Sequence, residues 1–163
     1  MCGKLRKAYR PHDIIERIAA LNRWPFERSH GDEISIAVAG RWTHYSVAFT
    51  WLAEVEALHI ACAFDLTVPE ARRAELAALV SLINEELWIG HFDIWPNDGV
   101  VMFRQALLLS GGAELNVQQC QSAFAGVVCA CERYYQAFQF VVWAGCAGRE
   151  ALAAIRLETQ GRA

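Results

Sequence analysis

Apolar positions change period several times along this chain, and each change marks an element. Ile14, Ile15, Ile18 and Leu21 share one face at helical spacing and Arg23-Trp24-Pro25 stops the run, so Pro11 to Leu21 predicts a helix. The period then becomes two. Ile34, Ile36 and Val38 alternate with smaller residues over 33–38, and Tyr45, Val47, Phe49 and Trp51 do the same over 44–51, which predicts two strands joined through Gly40-Arg41-Trp42-Thr43. Leu58, Ile60, Cys62 and Phe64 give a third strand over 58–64, antiparallel because the connections are too short for a crossover.

Thr67-Val68-Pro69-Glu70 reads as a helix start with Thr67 as cap, and Leu76, Leu79, Val80, Ile83 and Leu87 form the apolar face of the helix it opens. From Leu87 to Leu109 two apolar runs meet at Pro96-Asn97-Asp98-Gly99, a set of residues that favours chain reversal, so a β-hairpin is expected there. After Ser110-Gly111-Gly112, Asn116 with Gln119 three residues on caps the most regular segment. Val117, Cys120, Phe124, Val127, Cys131, Tyr134, Phe138, Val141 and Gly145 recur every three or four residues, and Ala123, Ala130, Ala137 and Ala144 every seven. Val117 to Cys146 is therefore expected to be helical, as one rod or as two pieces divided near Gly126, and a short helix is expected over 149–157. The order is helix, three strands, helix, two strands, helix. That is an α+β two-layer sandwich with one five-stranded antiparallel sheet and helices largely on one side.

The chain's 163 residues suit a single domain, 1–163, with residues 1–10 as a flexible tail. Fifteen basic against eighteen acidic residues give a net charge of −3, which argues against nucleic acid as partner. The one basic cluster, Lys4, Arg6, Lys7 and Arg10, reads as part of the solvated tail. The uncharged stretch from Leu115 to Cys131 carries too many polar residues to enter a membrane, and the first ten residues have no apolar segment of the kind a secretion signal needs. A cytoplasmic location is expected, with the six cysteines as reduced thiols.

Candidate chemistry is sparse. His91 and Asp93, two apart on a strand and so on one face, could hold a ligand or shuttle a proton together with His59 or His44 from neighbouring strands. A His-x-Asp pair is only part of a metal site, and no third ligand stands at diagnostic spacing, so no metal and no cofactor are expected. Cys129 and Cys131, two apart on a helix, point away from each other. Ser110-Gly111-Gly112 lacks the pattern of a phosphate loop, and no Gly-x-Ser-x-Gly elbow supplies a nucleophile, so no catalytic residue is assigned. The apolar fraction of 55% is high, which means the fold must bury much of it or show some to a partner. Phe140 and Trp143 lie off the long stripe and must be covered either by the tail carrying Leu152, Ala153, Ile155 and Leu157 or by a partner. Trp88 and Trp95 pose the same question at the sheet ends, as does Trp42.

Four passages carry a resemblance: Leu58 to Asp65, Asn84 to Asp93, Asp98 to Arg104, and Cys131-Glu132-Arg133-Tyr134-Tyr135 continuing to Trp143. Over about residues 40 to 157 the chain resembles the YbjN family, small bacterial proteins described as sensory transduction regulators. The chain departs from it at Gln136, where proline is frequent, so either a straighter helix or a break near Tyr135 without its proline is expected. The resemblance implies a fold like the type III secretion chaperones and a non-enzymatic, dimeric module that binds another protein. The apolar side chains left out of place, Phe140, Trp143, Trp88 and Trp95, are the contact residues expected for it. A small-ligand sensor or enzyme using His59, His91 and Asp93 is the alternative.

Overall fold

A computed structural model describes residues 10–29 and 31–160. Most of the expected tail, with Lys4, Arg6 and Lys7, lies outside the described residues; Arg10 lies within them and pairs with Asp32 at 3.2 Å. The first helix, α1, is His12–Leu21. It leads into β1 (Phe26–Arg28), β2 (Glu33–Ala39), β3 (His44–Leu52) and β4 (Ala57–Thr67). A 3-10 turn over Glu70–Arg72 opens α2 (Arg73–Glu86), followed by β5 (His91–Ile94), β6 (Val100–Leu108), α3 (Val117–Val142) and α4 (Gly148–Gln160).

The strands form one antiparallel sheet in the order β1-β2-β3-β4-β6-β5. The sheet has six strands, not five. The added strand is β1, three exposed residues that pair Phe26, Glu27 and Arg28 with Ile36, Ser35 and Ile34. Phe-Glu-Arg has no alternation to read, and backbone pairing with β2 is what makes it a strand. The expected helix cap at Thr67 does not form either. Thr67 still belongs to β4, opposite Val100, and Pro69 is extended with ψ 145°. The helix proper waits for Arg73.

The hairpin and the long helix form as the residues dictate. Gly99 takes φ +64°, the Trp95 N–H donates to the Val100 carbonyl at 2.9 Å, and the Gly99 N–H to that of Trp95 at 2.8 Å. At the start of α3 the Asn116 side chain accepts from the Gln119 N–H at 2.8 Å while the Gln119 side chain accepts from the Asn116 N–H at 3.0 Å, a complete capping box. The helix runs 26 residues without a break, through Gly126 and past Gln136, and ends at Val142, short of Cys146.

One sheet face carries Ile34, Ile36, Tyr45, Val47, Phe49, Leu58, Ile60, Cys62, Val101 and Phe103, all buried beneath the helices. Gln105, on the same face, donates from its side-chain amide to the Ala123 carbonyl at 3.1 Å, so its polar end is satisfied inside the core. Under the C-terminal half of α3 the core is aromatic. Phe92 lies 5.1 Å from Phe103 and from Phe138 and 5.8 Å from Phe64, centroid to centroid, with Tyr134 at 5.9 Å. Cys62 and Cys131 are buried thiols in this core. The Cys62 thiol beside it, followed by burial, raises the Cys131 pKa, which leaves that thiol unreactive.

Candidate functional site

Three surfaces hold the residues with chemistry to offer. The first is the loop between α2 and β5. Trp88 is 100% exposed and Ile89 beside it 72%, and Gly90 with φ +74° turns the chain tightly against Phe103. Trp95 is exposed at the far end of β5, so the short edge strand stands between the two tryptophans rather than bringing them together. Trp143, just past the end of α3, is 68% exposed. Phe140 is half-buried against the core, and α4 folds back with Leu152 and Ile155 buried. Phe140 is thus packed against the core, whereas Trp143 stands open.

β5 is the last strand of the sheet, and an uncovered edge invites pairing with another chain. Here side chains close it. Asn84 donates its amide to the Phe92 carbonyl at 2.9 Å and accepts from the Phe92 N–H at 2.8 Å, and Asp93 accepts from the Ile94 N–H at 2.9 Å. Replacing Asn84 with Ala leaves both Phe92 groups without partners in a half-buried place. A loss of about 1–3 kcal/mol is expected, together with faster amide exchange at Phe92 than at Phe103, which hydrogen-exchange mass spectrometry would register.

The second surface is the sheet face turned away from the helices. His59, His91 and Asp93 do share it, with Arg104 among them: His91 lies opposite Arg104, and Arg104 reaches the Asp93 carboxylate at 3.5 Å. Asp93 is therefore already engaged by a cation and a backbone N–H. Among the described residues, no three His, Cys, Asp or Glu side chains come together to hold a metal ion. Burial, then Arg104 and His91, holds the His59 pKa below its ordinary value. A group with a depressed imidazole pKa binds fewer protons folded than unfolded, so its effect on stability is absent above the unfolded pKa, roughly 6.5. As pH falls through that value toward the folded pKa, stability is lost. The thermal midpoint should drop across this window, and by less in His59→Gln.

The third surface is a cleft of about 640 Å³ among α3, α4 and the β2–β3 turn, lined in part by Arg41, Trp42, Glu86, Arg133, Leu152 and Ile155. Glu86 is its hub. It accepts from the Tyr134 hydroxyl at 3.0 Å, lies 3.9 Å from Arg133, and pairs with Arg156. Also on its lining, Glu132 accepts the backbone N–H of Arg41 at 2.9 Å, and the Arg41 guanidinium sits 4.5 Å from the centre of the Trp42 ring. The residues of the cleft come from well-separated parts of the sequence. Two of the passages singled out in the sequence reach it, Asn84 to Asp93 through Glu86 and Cys131 to Tyr135 through Glu132, Arg133 and Tyr134, as does Trp42.

None of the curated proteins compared matches the chain. A crystal structure of YbjN from E. coli, described as a putative transcription regulator, is similar at a TM-score of 0.53 and 11% identity, covering 90% of this chain and 92% of that one. The structure of the ExsC–ExsE complex gives a TM-score of 0.49 at 16% identity, over 74% of this chain and 90% of the other. No helix among the described residues is long and apolar enough to cross a membrane. The family model YbjN, "Putative bacterial sensory transduction regulator", matches residues 11–140, most of the chain, and the protein belongs to the YbjN family.

Proposed function

We propose that this protein is a non-catalytic adaptor or regulator that acts as a dimer and recognises another polypeptide through exposed aromatic side chains. The observation that carries the reading is Trp88 with Ile89. A fully exposed indole next to a largely exposed isoleucine, held in a short loop between α2 and the closed strand β5, is apolar surface kept outside at a cost in hydration. Trp is also the residue type most often dominant in protein interfaces. The loop is rigidly placed, because Gly90 packs on Phe103 and Asn84 pins Phe92. The chemistry favoured in a partner is an apolar or aromatic segment rather than a strand, since the β5 edge offers few open backbone groups.

The test is comparative capture from a bacterial extract on immobilised protein. Wild type should retain a defined set of polypeptides that Trp88→Ser and Trp143→Ser, both at exposed positions, retain weakly or not at all. Identical retention by all three would overturn the reading.

A further inference from the structure

Resting on the dimer in that reading, we infer that its interface is the sheet face opposite the helices, packed on the same face of a second copy about a two-fold axis parallel to the strands between β3 and β4. The inference comes from the order of side chains across the sheet. One row crosses all six strands in register: Glu27, Ser35, Ala48, Ala61, Arg104, His91. It has an acid at one end, small residues in the middle and two bases at the other end. A two-fold axis between Ala48 and Ala61 sets Ala48 on Ala61 of the second copy, Ser35 on its Arg104 and Glu27 on its His91, twice over. The adjacent row, Glu33, Thr50, His59 and Ala106, behaves the same way. Thr50 then meets His59, and Glu33 comes beside the Ala106 and Arg104 end. Such an isologous contact needs a patch complementary to itself, and this pattern is.

Shape and area agree with charge. Most open-face positions in the middle of the sheet are small: Ala37, Ser46, Ala48, Ala61, Ala63 and Ala106. An ordinary solvated sheet face would instead carry long polar side chains. A two-fold axis parallel to the strands also keeps each end of the face on the same end of the other copy. Leu52, Ala57 and Leu108 form one row with both leucines exposed, and the axis sets Leu52 over Ala57 of the second copy and beside its Leu108. Strands about 4.8 Å apart with about 3.3 Å per residue give a face of roughly 25 by 25 Å. That is on the order of 600 Å² before side-chain relief, near the roughly 800 Å² per partner of a stable interface. Asp93 stays tied to Arg104 within its own copy. Asp65 on β4 and His44 on β3, both exposed, lie toward the same end of the two central strands and face each other across the axis.

Light scattering and sedimentation of the full chain over roughly 1–100 μM test this. Wild type should be a dimer, and Ala61→Arg should raise the dissociation constant by roughly a hundredfold or more while leaving the thermal midpoint of the monomer close to normal. Glu27→Lys should weaken the dimer up to about tenfold, because the symmetry removes the same Glu27–His91 contact twice, and the double variant Glu27→Lys/His91→Glu should recover it. A dimer unmoved by Ala61→Arg, or a charge swap that fails to restore association, overturns this interface and leaves the dimer itself standing. A wild-type monomer overturns the dimer and the interface together. Loss of a captured polypeptide by Ala61→Arg with the dimer intact assigns the face to that partner and also overturns the inference.

Discussion

Phe92→Ala should remove about 3–5 kcal/mol of stability. Phe92 is buried, faces four aromatic rings within 6 Å, and is the residue through which the short strand β5 joins the core beneath α3. Truncation loses the transfer free energy of the ring and leaves a cavity whose walls are themselves large aromatics on different elements, so collapse around it is incomplete. Against a total stability of roughly 5–15 kcal/mol for an ordinary domain, the thermal midpoint should fall by about 10 °C or more. The effect is also local. With Phe92 gone, Asn84 has no fixed backbone to hold, and the Trp88 loop loses its anchor. Phe92→Leu, which keeps most of the volume, should cost less than half as much. Equal midpoints for wild type and Phe92→Ala would contradict the placement of this ring.

Gly148→Ala should cost about 1–3 kcal/mol for a different reason. Gly148 begins α4, and a Cβ there would lie 2.8 Å from the Leu79 nitrogen, 2.9 Å from the Glu75 carbonyl oxygen and 3.1 Å from the Leu79 Cα. All three are backbone atoms of α2 and cannot swing aside. The two helices must separate. Their separation would also strain the bond from the Gly148 N–H to the Glu75 carboxylate at 3.1 Å and shift Leu152, Ile155 and Arg156, which form one wall of the cleft. Denaturant melts would show a lowered midpoint. Gly126→Ala makes the control: nothing stands near a Cβ at Gly126 on the exposed side of α3, and alanine is the better helix former, so the midpoint should stay or rise. A Gly148→Ala protein as stable as wild type would show that α2 and α4 do not touch so closely.

The elements legible in the sequence were those whose burial is periodic. Alternation fixed β2, β3 and β4 within a few residues, and the stripe from Val117 together with the Asn116–Gln119 box located α3, because in each case local pattern and tertiary packing ask for the same conformation. The misses fall where they disagree. β1 is a strand only because β2 supplies its hydrogen bonds, and Thr67, a good cap in isolation, is held in β4 by pairing with Val100. Site residues divide along the same line. That His59, His91 and Asp93 share a face follows from strand parity alone, whereas their neighbour Arg104, and the fact that it occupies Asp93, required the β5–β6 register. The cleft around Glu86 joins residues as far apart in the chain as Arg41 and Arg156, and the closing of the β5 edge by Asn84 depends on a helix end meeting a strand. Neither has a local period to betray it.

Hydrogen exchange on the full-length protein, alone and saturated with a polypeptide it captures, tests the central claim most directly. Binding by the exposed tryptophans predicts new protection in residues 87–90 and around Trp95 or Trp143, with the α3 core unchanged. Protection confined to other parts of the molecule, with the 87–90 loop exchanging as fast as before and Trp95 and Trp143 unaffected, would contradict it.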